Sequence, residues 1–255
     1  MLYVSKLRKP DLVLLHGWGM NQAVWQQWLP LLQPDWQVHT LDLPGFGLSP
    51  GCPEPYSLAA ICMLLQPQLP DRAVVCGWSL GGLVGIELAR RYPQQVRALA
   101  LLAASPCFMA QPDWPGMSAQ VFTQFQQQLS KDMALTIQRF LAIQAMGSPS
   151  AKEDIKQLRH AILQLPAPSP AAVSGGLLLL QDSDLRTELA RLPLPVYAAF
   201  GRLDTLVPIG AEQALQLLMP TAKTHCFAHA SHASFISHPT ESTAWLRSIR
   251  QQLPA

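Results

Sequence analysis

The chain has 255 residues, 49% of them hydrophobic and only 13% charged, a globular composition with room for one sizeable core and an insertion. Its formal net charge of +2 builds no basic field for nucleic acid or for an anionic membrane surface. No apolar run approaches the ~20 residues of a spanning helix. The first ten residues place their charges after their apolar residues, so export is not expected. The five cysteines are odd in number and form no C-x-x-C pair, as expected for reduced thiols in a cytoplasmic protein.

Strand and helix patterns alternate along the chain. The residues before Asp11 leave room for one modest strand. Asp11-Leu-Val-Leu-Leu15 is a short apolar strand, His16-Gly-Trp-Gly19 follows it, and residues 21–32 read as helix. Asp42, in Asp42-Leu-Pro-Gly45, reads as a turn-stabilising carboxylate. An apolar strand beginning at Ala73 runs into Gly77-Trp-Ser-Leu-Gly81 and then into a helical pattern over 82–91. A buried strand follows at 96–104, and the next one begins near Pro195.

Between those two strands the pattern is helical, over 117–129, 132–146 and 150–165, with a shorter piece at 176–181. Pro112, Pro115 and the run Pro166-Ala-Pro-Ser-Pro170 break it into separate units. The expected organisation is a core of residues 1–106 and 195–255, with 107–194 as a helical cap above the strand ends. A strand at 195–200 leads into the loop carrying Asp204. A last short strand at 224–227 leads into a loop with His229 and His232.

The chemistry gathers on Ser79. Glycines at 77 and 81 permit a tight strand-to-helix reversal that holds the hydroxyl out, and the helix that follows aims its N-terminal N–H groups at the same spot. Such a hydroxyl is too weak an acid to attack alone. His232 is therefore assigned as its base and Asp204 as the group that holds the imidazole tautomer. The main-chain N–H groups of Trp18 and Leu80 are assigned as oxyanion donors. The Trp18 ring reads as a core aromatic, a wall of the acyl site, or both, and Trp78 as a substrate wall or a core residue. His16 reads as ordering its loop. His229, His232 and His238 have no Cys or carboxylate at ligand spacing, so neither a metal nor any other cofactor is expected.

The order Ser79, Asp204, His232 is that of α/β-hydrolases, and the chain resembles that family over nearly its whole length. It resembles within it the pimeloyl-[acyl-carrier protein] methyl ester esterases of biotin synthesis. The resemblance rests on Leu14-Leu-His-Gly-Trp-Gly19, Asp42-Leu-Pro-Gly-Phe-Gly-Leu-Ser49, Gly77-Trp-Ser-Leu-Gly-Gly82 and Gly201-Arg-Leu-Asp204 in the core. In the insertion it rests on Trp114-Pro-Gly116, Phe125-Gln-Gln-Gln-Leu-Ser130 and Arg139-Phe-Leu-Ala-Ile-Gln144. It implies a mostly parallel central sheet with helices on both faces and an inserted helical cap. The implied activity is hydrolysis of the methyl ester of a pimeloyl chain on acyl carrier protein by a monomer, with Trp18, Phe140, Leu141, Ala142, Ile143, Gln144 and His232 touching substrate.

An acidic carrier needs basic residues on the cap. Lys152, Lys156 and Arg159, with His160 beside them, fall on one face of a helix while Glu153 and Asp154 are expected to point elsewhere; Arg139 is a further candidate. By pattern alone a solvated face is the plainer reading, and the resemblance turns it into a docking stripe. Lys152 and Lys156 stand where the family carries arginines, and Leu135 where it carries a base. The competing reading is a broad short-chain carboxylesterase or thioesterase with no carrier partner.

Overall fold

The computed structural model describes residues 9–144 and 151–253. Its strands are β1 (Asp11–Leu15), β2 (Gln37–Leu41), β3 (Ala73–Trp78), β4 (Val96–Leu102), β5 (Val196–Gly201) and β6 (Lys223–Phe227). They form one sheet in the order β2-β1-β3-β4-β5-β6, and every neighbouring pair is parallel. The modest strand expected before Asp11 falls on residues 1–8, outside the described residues.

β1, β3 and β5 are buried along their whole length, which explains why all their residues but Asp11, at the start of β1, carry no charge. The chain moves from β1 outward to β2 and then crosses back to place β3 on the other side of β1. That reversal opens a crevice at the carboxyl ends of β1 and β3, where open α/β sheets bind ligands. Leu15 pairs with Leu41 on one side and Gly77 on the other, so His16, Asp42 and Trp78 follow side by side at the carboxyl ends of their strands.

The helices before the insertion are α1 (Leu29–Leu32), α2 (Leu58–Leu65) and α3 (Leu80–Arg91). Residues 21–32 do not make the continuous helix expected. Asn21 caps a 3-10 turn over Gln22–Trp25, and α1 starts afresh after it. Pro30 is the reason, since its ring would collide with the carbonyl four residues earlier and it has no N–H to give. α3 is buried from Leu80 to Ala89, and Glu87 turns back to pair with Arg90 and Arg91 at the helix end.

Between β4 and β5 lie α4 (Ala119–Lys131), α5 (Met133–Gln144), α6 (Ala151–Ile162), α7 (Pro170–Asp182) and α8 (Arg186–Ala190). The first three match the expected helices to within a few residues, with 145–150 outside the described residues. α7 is far longer than the short piece expected. Pro170 occupies the first turn of α7, where a missing N–H costs nothing, and Ser169 caps it by accepting from Ala172 N. The chain closes with α9 (Gly210–Leu218), α10 (Ser234–Ser237) and α11 (Pro239–Gln252). Trp25, Trp28, Trp78 and Phe235 cluster with ring centroids 4.5–6.0 Å apart. Trp78 is thereby packed in the core. All five cysteines are free, and burial pushes the Cys76 thiol up to about 12. Among the described residues no helix is long and apolar enough to cross a membrane.

Candidate active site

Ser79 is the junction of β3 and α3, with φ 55° and ψ −121°. That conformation is costly for a residue with a β-carbon and persists because the packing around it allows nothing else. A β-carbon on Gly77 would stand 2.5 Å from the Gly81 carbonyl carbon, and one on Gly81 would stand 2.8 Å from that of Leu15. The two glycines therefore let α3 start against β1 and β3. Ser79 N donates to Leu102 O at 3.2 Å, Gly82 N donates to Ser79 O at 2.8 Å, and the serine is only 3% exposed.

Asp204 lies in the loop after β5. Its Oδ1 accepts the main-chain N–H groups of Leu206 (2.8 Å) and Val207 (3.0 Å), while Oδ2 accepts His232 Nδ1–H at 2.7 Å. A carboxylate only accepts, so the imidazole proton sits on Nδ1 and the lone pair on Nε2. His232 is 1% exposed, and its Nε2 is buried with no hydrogen-bond partner. Ser79 therefore makes no hydrogen bond to Nε2. Trp78, the residue before Ser79, donates its Nε1–H to the His232 carbonyl at 2.9 Å and fixes that loop against the strand-to-helix turn. The rival His229 is exposed. His238 bonds to Ser237, and among the described residues no cluster of His, Cys, Asp or Glu is arranged to hold a metal.

The turn after β1 comes down beside Ser79. A β-carbon on Gly17 would sit 3.2 Å from Ser79 Cβ. Met20 N closes the turn on Gly17 O at 3.3 Å, which leaves the Trp18 N–H outside the turn's own bond. Leu80 N–H is the first of α3 and has no acceptor within the helix. The Trp18 ring is fully buried. Its Nε1–H donates to Val173 O of α7 at 2.8 Å, and its edges meet Phe125 and Phe140 at centroid distances of 5.2 Å.

With Phe108, Met109, Leu177 and Leu206 these rings line a wholly apolar cavity of about 50 Å³. Phe140, expected to touch substrate, is placed on this cavity. Leu141 faces a different groove with Gly19, Ile137 and Arg159. The side chains of Ala142, Ile143 and Gln144 lie outside the described residues.

On α6, Lys152, Lys156, Arg159 and His160 are all exposed, and on α5 so is Arg139, which donates to Gln128. Glu153 does not point away from this stripe as expected. At three residues' spacing it meets Lys156, with Nζ and Oε2 3.9 Å apart; the Asp154 side chain lies outside the described residues.

His16 and Asp42 hold loops, as expected. His16 Nε2 accepts Leu43 N–H at 3.0 Å, which places the ring proton on Nδ1, 2.8 Å from Gly17 O. Burial lowers the His16 pKa although Asp42 stands 3.6 Å away. Asp42 accepts from Gln22 N, Gln22 Nε2 and Leu48 N at 2.6–2.8 Å. Sequence reading missed two supports. Asn21 ties the turn to the cap by donating to Ile162 O at 3.0 Å, and the Leu206 and Val207 amides hold Asp204. The Asn21 signal was its capping position, whereas the amides leave none.

An α/β-hydrolase is the class that this sheet and its strand-to-helix serine define, and residues 10–239 match the model of the alpha/beta hydrolase fold family. The chain is 49% identical over 233 residues to a pimeloyl-[acyl-carrier protein] methyl ester esterase of Aeromonas hydrophila, covering 91% of this chain and 92% of that one. The protein of the same name from Aeromonas salmonicida is 48% identical over 91% and 92%. A hydrolase of known structure from Oleispira antarctica superposes with a TM-score of 0.84 at 20% identity, over 96% and 92% of the two chains, a likeness of fold. The chain belongs to the alpha/beta hydrolase family and, within it, to the pimeloyl-[acyl-carrier protein] methyl ester esterases.

Proposed function

We propose that this chain hydrolyses the methyl ester of a pimeloyl group on acyl carrier protein, releasing methanol and freeing the distal carboxylate. Ser79 is the nucleophile, His232 its base and Asp204 the group that orients the base. The observation that carries this reading is the His232 ring, held by Asp204 in the one tautomer that leaves a buried, unshared lone pair on Nε2.

Ser79 Oγ adds to the ester carbonyl while its proton passes to Nε2. The oxygen that takes up the charge rests on the Trp18 and Leu80 N–H groups, each worth on the order of 3 kcal/mol in the transition state. The adduct collapses, methoxide takes the proton from Nε2 and leaves as methanol. Water then adds to the acyl-enzyme by the same route and restores Ser79.

Residues 107–194 serve as the cap. The acyl chain lies against Trp18 and Phe140 in the apolar cavity, and Arg139, Lys152, Lys156 and Arg159 meet the acidic carrier. A fluorophosphonate with peptide mapping tests the nucleophile: Ser79 alone should be tagged, and a tag elsewhere or none overturns the assignment. Turnover of carrier-bound ester against free methyl pimelate tests the partner. Preference for the carrier-bound ester is expected, and equal kcat/KM supports a broad carboxylesterase instead.

A further inference from the structure

The peptide unit joining Gly17 to Trp18 has two ends with different tasks. Its N–H is the assigned oxyanion donor, and its C=O points the opposite way because the unit is planar and trans. Whatever fixes the carbonyl therefore aims the N–H. Two donors fix it, His16 Nδ1–H at 2.8 Å and Met20 N–H at 3.3 Å. The ring is itself held at its far side, where Nε2 accepts Leu43 N–H at 3.0 Å and Phe46 packs edge-on at 5.5 Å. The turn it orients passes against Ser79, 3.2 Å from its Cβ to a β-carbon built on Gly17.

We propose that His16 is a positioning residue for the ester hydrolysis: its Nδ1–H aims and polarises the Gly17–Trp18 peptide so that the Trp18 N–H meets the developing oxyanion. Polarisation follows from the same bond. A hydrogen bond into a peptide carbonyl draws electron density toward oxygen and makes the N–H of that unit a stronger donor. The buried ring stays neutral, as the pattern needs, because a proton on Nε2 would collide with the Leu43 N–H. The proposal rests on the reading of Trp18 as an oxyanion donor.

Two substitutions separate the two ring nitrogens. In His16→Asn the amide nitrogen stands as many bonds from Cβ as Nδ1 does, so the donor to Gly17 O is kept and the acceptor for Leu43 is lost. In His16→Gln the amide oxygen stands as far out as Nε2, so the Leu43 acceptor is kept and the donor to Gly17 is lost. His16→Gln should lose roughly ten- to hundredfold in kcat with KM and Tm little changed, less than the 10²–10³ for deleting a donor outright. His16→Asn should keep kcat within about threefold, as the retained donor bond requires, while its Tm falls. A merely structural histidine would make kcat follow Tm in both variants, and that result overturns the proposal.

The adduct of 1,1,1-trifluoro-2-octanone, labelled with ¹³C at the carbonyl, separates this proposal from the one beneath it. Ser79 Oγ adds to the ketone carbon, His232 takes the proton, and the hemiketal oxygen is left on the donors. In His16→Gln its titration should move up by about one to two pH units, the equivalent of the tenfold to hundredfold loss. A wild-type hemiketal that stays protonated at neutral pH overturns the oxyanion reading. One that ionises with the same midpoint in wild type and His16→Gln overturns the role of His16 alone.

Discussion

Replacing Asp204 by asparagine should silence the enzyme while leaving its fold intact, and the structure dictates which way the amide turns. The position of Oδ1 faces two main-chain donors, Leu206 N–H and Val207 N–H, at 2.8 and 3.0 Å. An oxygen must stay there, because turning the NH₂ toward them would leave both donors buried without acceptors, at about 1–3 kcal/mol each. The NH₂ is therefore forced onto the Oδ2 position, 2.7 Å from His232 Nδ1. Two donors cannot face each other. The imidazole answers by moving its proton to Nε2, and the nitrogen that should take the Ser79 proton no longer has a lone pair. A triad aspartate changed to asparagine in a serine protease loses about 10⁴ in kcat by this wrong tautomer, a barrier increase of roughly 5.5 kcal/mol. The same order is expected here for kcat on p-nitrophenyl acetate, with Tm within about 3 °C of wild type, a shift of roughly 1 kcal/mol. A folded Asp204→Asn variant losing less than tenfold would refute the tautomer argument and the base assignment with it.

Three further outcomes follow from other parts of the structure. Gly47 has φ +53°, and a β-carbon there would stand 2.5 Å from Asp42 Cγ, displacing a carboxylate that accepts three hydrogen bonds. Gly47→Ala should therefore cost about 3–5 kcal/mol, from left-handed strain and weakened charged bonds, and lower Tm by about 10 °C in a melting scan; a fall under about 3 °C contradicts it. His16 has its pKa held below the ordinary 6.5 by burial, so on acidification the unfolded chain takes up a proton that the native chain refuses. Stability is then complete above about pH 6.5 and falls by up to ~1.4 kcal/mol per pH unit below it, down to the folded pKa. Denaturant melts between pH 7.5 and 5 should show this slope in wild type and a shallower one in His16→Asn, and identical slopes sink the linkage. Carrier docking through exposed lysines and arginines is screened by salt, so KM for the carrier-bound ester should rise several-fold between about 0.02 and 0.5 M NaCl. KM for free methyl pimelate should stay flat, and parallel behaviour of the two substrates excludes a charged docking stripe.

The parts of this site legible in the sequence are those whose cause is local. β1 reads as 11–15 because four apolar residues after Asp11 end at a His-Gly turn, and the elbow reads because an apolar run meets Gly77 and Gly81 around a serine. β2 was not legible: it is the edge strand, half-exposed, and Gln37-Val-His-Thr-Leu41 carries no buried run. α7 was misjudged for a different reason. Gly175 and Gly176 look like breakers, yet each is imposed by a neighbour remote in sequence. A β-carbon on Gly175 would stand 2.5 Å from Tyr56 Cβ, and one on Gly176 would stand 3.0 Å from Trp18 Cδ1. The helix accepts a propensity loss of about 1 kcal/mol at each so that its backbone can lie against the Tyr56 and Trp18 side chains. That closeness allows Val173 O to take the Trp18 indole N–H and seats the Trp18 ring. Residue types at motif spacing thus announce which groups react. Close approaches of the backbone to its neighbours, allowed by glycines whose partners lie up to 158 positions away, decide where those groups stand.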